Sequence, residues 1–271
     1  MRSPSRAAAF AFALLVMTAI AAAGGADLPQ PSAAARFSSY GHPGIFLLQR
    51  DGVAVATIHG GEIADTPRSP ASTIKPLLAL IALETGALRN ADEVVPWNGD
   101  GRSVKPEWQK DMALREAMQT SSEPYFRVLA ERIGRKRLAA WVAKVGYGNR
   151  VVGKLPARAW HDGTLTVTAR QQLAFIDRLR RGDLPFSAKS IAAVKAAMRN
   201  DEANGTRIYG KTGTHLNADR TGNAWWIGWV EGPQGHASFT LGVDLKSMDD
   251  RAKRIVLGKQ LLRDAGVLPA K

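Results

Sequence analysis

Polar and apolar positions along this chain place strands near its two ends and helices between them. Residues 45–48 (Ile-Phe-Leu-Leu) and 53–58 (Val-Ala-Val-Ala-Thr-Ile) flank Gln49-Arg50-Asp51-Gly52, and the Asp-Gly pair predicts a hairpin. Apolar residues at 77, 78, 80, 81 and 83 predict a buried helix that starts around Ser72 and stops at Gly86. Residues 90–108 lack periodicity and read as an ordered loop. Helical spacing returns over 112–118, 124–133 and 138–145. Residues 148–163 are irregular, a loop long enough to be functional. Helices are expected over 168–181 and 188–198, strands over 206–211, 223–230 and 237–245, and an amphipathic helix over 249–265. Residues 29–44, rich in Ala, Ser and Pro, read as a loose leader. The expected fold is a mixed α+β one: an antiparallel sheet built from both chain ends and flanked by helices, with an inserted, mostly helical lobe.

Two arginines precede an almost wholly apolar stretch at 10–23, and small residues follow, the order of a secretory signal. Cleavage is expected between Ala23 and Ala26, so residues 1–26 form a signal peptide and 27–271 one catalytic domain. Within that domain the sheet part covers about 40–88 and 201–271, and the helical lobe about 89–200. The expected location is periplasmic or secreted, without a membrane span once the signal is removed, because the apolar run is short. The chain has no cysteine, which excludes disulfides, thiol catalysis and Cys-based metal sites. Its formal charge of +13 is spread along the chain without a dense basic cluster or aromatic ladder, so nucleic acid is not an expected partner.

Candidate chemistry begins at Ser72 and Lys75, three residues apart and on one side of a helical turn. A serine hydroxyl needs a base, and a lysine becomes one when burial lowers its pKa. Taken alone, the spacing is common. Gly205 to Thr212 fits the G-x-x-x-x-G-K-[ST] pattern letter for letter, but no helix pattern opens at Lys211-Thr212, so nucleotide binding is rejected. Read as Lys211-Thr212-Gly213, the same residues are the strand-end triplet that accompanies S-x-x-K in penicillin-recognising serine enzymes. Ser121, in Ser121-Ser122-Glu123, falls where a third, cleft-facing serine is required. Three such elements in order are far more specific than any one of them.

With these motifs the chain resembles the class D, oxacillinase-type serine β-lactamases from about Ile45 to its C-terminus. Pro70-Ala71-Ser72-Thr73 looks like the family's nucleophile segment, and Tyr147-Gly148-Asn149 matches its Y-G-N motif. Trp160 falls where the family keeps a loop tryptophan, and residues 224–230 (Ala-Trp-Trp-Ile-Gly-Trp-Val) look like its strand after K-T-G. Arg254 matches the family's carboxylate-binding arginine. The resemblance implies that Ser72 attacks a β-lactam carbonyl, Lys75 is the general base and Ser121 relays a proton to the ring nitrogen. It implies that Lys211, Thr212 and Arg254 hold the substrate carboxylate and that the N–H groups of Ser72 and Thr214 form an oxyanion hole. It further implies a CO2-derived carboxylation of Lys75, supported by Trp160, with Tyr147 as a loop support. No other cofactor and no metal are expected.

The sequence departs from the family at Glu123, where a small apolar residue is usual. A carboxylate there opposes a carbamate, leaving three options: Glu123 pairs with an uncarboxylated Lys75, points away, or is protonated. Alternative functions are a penicillin-binding D,D-peptidase acting on peptidoglycan, which shares the nucleophile but not fast deacylation, and a non-catalytic β-lactam sensor. Trp225, Trp226 and Trp229 read as core packing on both sheet faces. His161, His215 and His236 lack metal-ligand spacing and read as structural or solvated, and Glu84 as a helix or loop anchor.

Overall fold

The computed structural model describes residues 30–99, 105–219, 221–245 and 249–269. The expected signal peptide lies outside them. Eight α-helices and six strands occupy these segments: α1 (Gln30–Tyr40), β1 (Gly44–Arg50), β2 (Ala56–His59), α2 (Lys75–Glu84), α3 (Leu114–Thr120), α4 (Glu123–Ile133), α5 (Arg135–Val145), α6 (Ala169–Arg181), α7 (Ala188–Met198), β3 (Arg199–Ala203), β4 (Thr206–Leu216), β5 (Gly222–Gly232), β6 (Gly235–Leu245) and α8 (Lys253–Asp264). The strands form one sheet in the order β2-β1-β6-β5-β4-β3, every neighbouring pair antiparallel. β1 from one end of the chain pairs with β6 from the other, Phe46 opposite Leu241. That closure makes the sheet continuous and leaves α2 to α7 as the insertion.

Alternation along the strands sends side chains to two cores. On one face Phe46, Trp226, Phe239 and Leu241 pack with α1 and α8. On the other Ile45, Leu47, Trp225 and Trp229 pack with the helical lobe and with α2, whose residues 77–82 are fully buried. The three tryptophans therefore divide between the faces as core residues. Local chemistry sets the helix ends. Ser122 caps α4 by accepting from the Tyr125 N–H, and Thr168 and Gln171 form a reciprocal capping box at the start of α6. Glu84 accepts from the Ser187 backbone and from the Ser187 and Ser190 hydroxyls, so it anchors the start of α7.

Four expectations are corrected. The described part of the supposed leader is helix α1, whose Ala33 and Phe37 are buried and whose Phe37 ring stacks on His59 at 4.1 Å; packing on β2 and α8 outweighs a weak local pattern. β3, an edge strand of Arg-Asn-Asp-Glu-Ala, is a further element, one whose sequence carries no apolar alternation to signal it. β4 runs on to Leu216, so Lys211-Thr212-Gly213 lies within a strand rather than at its end; pairing with β5 holds residues 214–216 extended despite their polarity. Ser72 lies in a 3₁₀ turn, Ala71–Ile74, that precedes α2. The rejected phosphate-loop reading stands, since Lys211 and Thr212 are in a strand and no helix opens there.

Candidate active site

The nucleophile turn is wedged between the sheet and the lobe. Ala71 holds φ 47°, a costly conformation for a residue with a Cβ, and the Lys75 N–H bonds back to the Ser72 carbonyl. Four hydrogen bonds keep the turn in place. Thr73 donates to the Pro70 carbonyl at 2.6 Å and accepts from Gln172 Nε2 at 2.5 Å. Trp225 Nε1 and Asn223 Nδ2 donate to the Ser69 carbonyl at 2.9 and 3.2 Å. Gly213 closes the gap to β4: a Cβ there would meet the Pro70 carbonyl oxygen at 2.8 Å and the Thr73 nitrogen at 3.1 Å. A side chain would push strand and turn apart, which is why the triplet ends in glycine. Ser72 itself is half-buried.

Lys75 and Lys211 meet at Ser121. The Lys75 amine donates to Ser121 Oγ at 3.1 Å and to the Ser121 carbonyl at 2.7 Å, and the Lys211 amine donates to the same Oγ at 2.8 Å. Ser121 reaches this point because it ends α3 in the left-handed region, φ 56°, a second strained non-glycine residue beside the first. Lys75 is 1% exposed and Lys211 3%. Burial pushes the Lys75 pKa down to about 7, with Lys105 and Arg127 adding to the fall and Glu123 opposing it. Burial, then the charges of Lys75, Arg254 and Lys105, hold Lys211 well below its usual value. Two ammonium groups sharing one hydroxyl repel, so the pair sheds a proton near neutrality.

The remaining expected residues fall on three sides of this centre. Thr212 and Lys211 border a hollow of about 220 Å³ together with Trp226 and Ile255, while Thr214 follows Gly213 on β4, opposite Ala224. Arg254, in the first turn of α8, is 7% exposed; burial lowers its pKa to about 10, and its Nε has no hydrogen-bond partner among the described residues. Larger hollows lie between α1 and α8 (about 530 Å³) and beside α7 (about 620 Å³). Neither is lined by any of these residues, so size alone would misplace the site.

Trp160 is fully buried, its carbonyl accepts from Ser69 Oγ at 3.0 Å, and its indole N–H has no partner among the described residues. Tyr147 departs from its expected place as a support for the loop or a carbamate. Its hydroxyl donates to Gln172 at 3.3 Å, and Gln172 in turn holds Thr73, so Tyr147 braces the nucleophile turn; burial raises its pKa. It is Asn149 that staples the loop, donating to the Thr164 carbonyl at 2.8 Å and accepting from the Val151 and Thr166 N–H groups. Glu123 is resolved among its three options. Its carboxylate contacts Arg127 and lies 3.4 Å from His161 Nε2, and no hydrogen bond links it to Lys75. Burial raises its pKa, but His161 and Arg127 outweigh that and bring it to about 2, so it is ionised and not protonated. The i,i+4 spacing of Glu123, just ahead of the expected 124–133 helix, and Arg127 within it is the readable signal for this pair. For Lys105, near both buried lysines, and for His161 there was none.

A family model for the penicillin binding protein transpeptidase domain matches residues 60–262. Beta-lactamase OXA-5 of Pseudomonas aeruginosa is 31% identical over 86% of this chain and 87% of its own length. The chain belongs to the class D β-lactamases. Another member, Beta-lactamase OXA-3 of Pseudomonas aeruginosa, is 35% identical over 74% of this chain and 71% of its own. The crystal structure of the class D β-lactamase YbXI from Nostoc superposes with a TM-score of 0.82 at 30% identity, covering 87% of this chain and 99% of that one. FUS-1, a class D β-lactamase from Fusobacterium nucleatum, gives 0.83 at 24% identity over 88% of this chain and shares the fold. The expected α+β architecture is thus that of the class D β-lactamases.

Proposed function

We propose that this class D family member opens β-lactam rings through an acyl-enzyme on Ser72. The observation that carries this reading is the double bond to Ser121: two lysine amines fill both lone pairs of one hydroxyl. The Ser121 proton must then point away from both lysines, into the cleft, where a departing amide nitrogen needs it.

In the acylation step the Ser72 proton passes to the neutral Lys75 amine as Oγ bonds to the lactam carbonyl carbon. The ring C–N bond breaks, and the nitrogen takes the Ser121 proton, which Lys75 replaces. N–H groups of Ser72 and Thr214 stabilise the oxyanion. Lys211 and Arg254, with the Thr212 hydroxyl, attract the substrate carboxylate, whose charge relieves their crowding. In the second step a water attacks the ester, Lys75 takes its proton, and Ser72 leaves with one restored. A carbamate on Lys75 fits on one observation, the fully buried Trp160 N–H without a partner among the described residues, and Arg127 offsets the Glu123 charge that would oppose it. When bound it supplies an anionic base beside Ser72. Export by the N-terminal segment to the periplasm or medium belongs to the same reading.

Purified protein is expected to turn over a penicillin or a chromogenic cephalosporin, with an adduct of the drug's mass on Ser72. No turnover above buffer across several β-lactams would overturn the reading. The match to a transpeptidase-domain model favours a second one, a D,D-peptidase acting on peptidoglycan stem peptides. That enzyme would keep labelled penicillin bound for hours and cleave a stem peptide.

A further inference from the structure

The segment at 148–163 carries Trp160 and His161, and two contacts fasten its far end. On one side Ser69, just ahead of the nucleophile turn, donates to the Trp160 carbonyl at 3.0 Å. On the other, the next residue, His161, sets Nε2 at 3.4 Å from Glu123, and Arg127 on the following turn of α4 grips the same carboxylate. The short turn Pro156–Arg158 packs on α4 as well. The Phe126 ring of that helix lies 5.4 Å from the Lys75 amine. One stretch of α4 therefore bears both a wall of the lysine's chamber and the acid that holds the tryptophan's neighbour.

An ion pair of this kind is worth little where water reaches it freely. Here Glu123 and His161 are 22% and 30% exposed, and the Glu123–Arg127 pair is prebuilt on one helix. Its function is better sought in geometry than in stability. We propose that Glu123 and His161 form a latch that fixes the Trp160 end of the 148–163 segment on α4, the helix whose Phe126 lies beside Lys75, making both of them positioning residues for the hydrolytic half of the reaction. Glu123 is then not simply an obstacle inherited at a usually apolar position. It is the fixed half of the fastening, Arg127 orients it, and His161 is the half carried by the loop segment. Acylation depends on Ser72, Lys75, Ser121 and Lys211, none of which hydrogen-bonds to the latch, so that step feels it only through the Glu123 charge near Lys75. The inference rests on the acyl-enzyme reading above.

The test separates the two half-reactions of His161→Ala, His161→Gln and Glu123→Gln, using labelled penicillin for acylation and loss of label for deacylation. A misplacement of about 1 Å at a catalytic group slows a step by roughly a hundredfold. His161→Ala is expected to slow deacylation by about tenfold to a hundredfold while acylation stays within about threefold, on that same scale. His161→Gln, whose amide can reach the Glu123 carboxylate from the same place, should recover most of the loss. Glu123→Gln, which keeps the packing, should act in the same direction but less. With ¹³C-bicarbonate, the carbamate resonance of Lys75 should weaken in His161→Ala and return in His161→Gln. Amide exchange over 158–163 should quicken in His161→Ala. Equal losses in both half-reactions, or unchanged deacylation and exchange, would overturn the proposal. If no form is acylated, the acyl-enzyme reading fails, and amide exchange still decides for or against the latch.

Discussion

The two faces of the sheet are both buried, yet they are built on opposite rules. The face under α1 and α8 is lined by Phe46, Trp226, Phe239, Leu241 and Val243, an ordinary apolar core. The face toward the lobe holds a comparable apolar mass, but at its edge it also buries Lys75, Lys211, Thr73 and Gln172. Desolvating two lysines side by side opposes folding more than the burial of Arg254 on α8 does beside the first face. Ala71 and Ser121, two of the four non-glycine residues at positive φ among the described ones, belong to the elements that carry the chamber. The apolar face supplies stability, and the other spends part of it on holding a base ready.

The largest expected difference between the faces is in activity. Ser72→Ala, or Lys75→Met, should lower turnover by on the order of 10⁴ or more, since residues acting as one catalytic unit each remove most of the rate. Lys75→Met should also raise the melting temperature near neutral pH. The sign follows from the depressed pKa. Below about pH 7 the lysine is charged in both states and carries its full burial penalty. Between there and about 10.5 the folded protein holds fewer protons than the unfolded one, so the wild type regains stability and the variant's advantage fades. Melting curves at pH 6 and pH 10 check this, and an advantage that grows with pH would contradict it.

On the apolar face Phe239→Ala should cost about 3–5 kcal/mol, the usual range for emptying a buried aromatic site. The activity of each folded molecule should stay close to wild type, measured by urea unfolding beside a titration of acylable sites. Gly213→Ala inverts that pattern. Its Cβ would meet the Pro70 oxygen at 2.8 Å, the Thr73 methyl at 3.0 Å and the Thr73 nitrogen at 3.1 Å, so acylation should fall by roughly a hundredfold. The smallest effect is a pair of opposed shifts in the acylation pH profile. Lys105→Gln removes a charge that lowers the Lys75 pKa and moves the rise to higher pH, whereas Glu123→Gln removes one that raises it and moves the rise lower. Shifts of the same sign would separate these residues from Lys75.

Much of the chamber was readable because its parts are local. Ser72 and Lys75 are one turn apart, Lys211 to Gly213 are consecutive, and a capping serine at 122 follows Ser121 directly. What hid was the role of residues whose partners lie far along the chain. Tyr147 serves the nucleophile turn through Gln172 and Thr73, about a hundred residues away from it in sequence at the last link. His161 meets Glu123 only because the loop folds back on α4.

The chain alone pointed to Ser72 and Lys75 as candidate nucleophile and base and to most of the strands and helices, though not α1 or β3, since hydrophobic period and residue spacing act within a few turns of backbone. Tertiary structure decided the charge states and the strained turns. It settled that Glu123 is ionised and held by Arg127 and His161, that Lys75 titrates near 7, and that β4 passes the nucleophile turn without a side chain between them. These depend on desolvation and close approach, which exist only once distant segments have packed together.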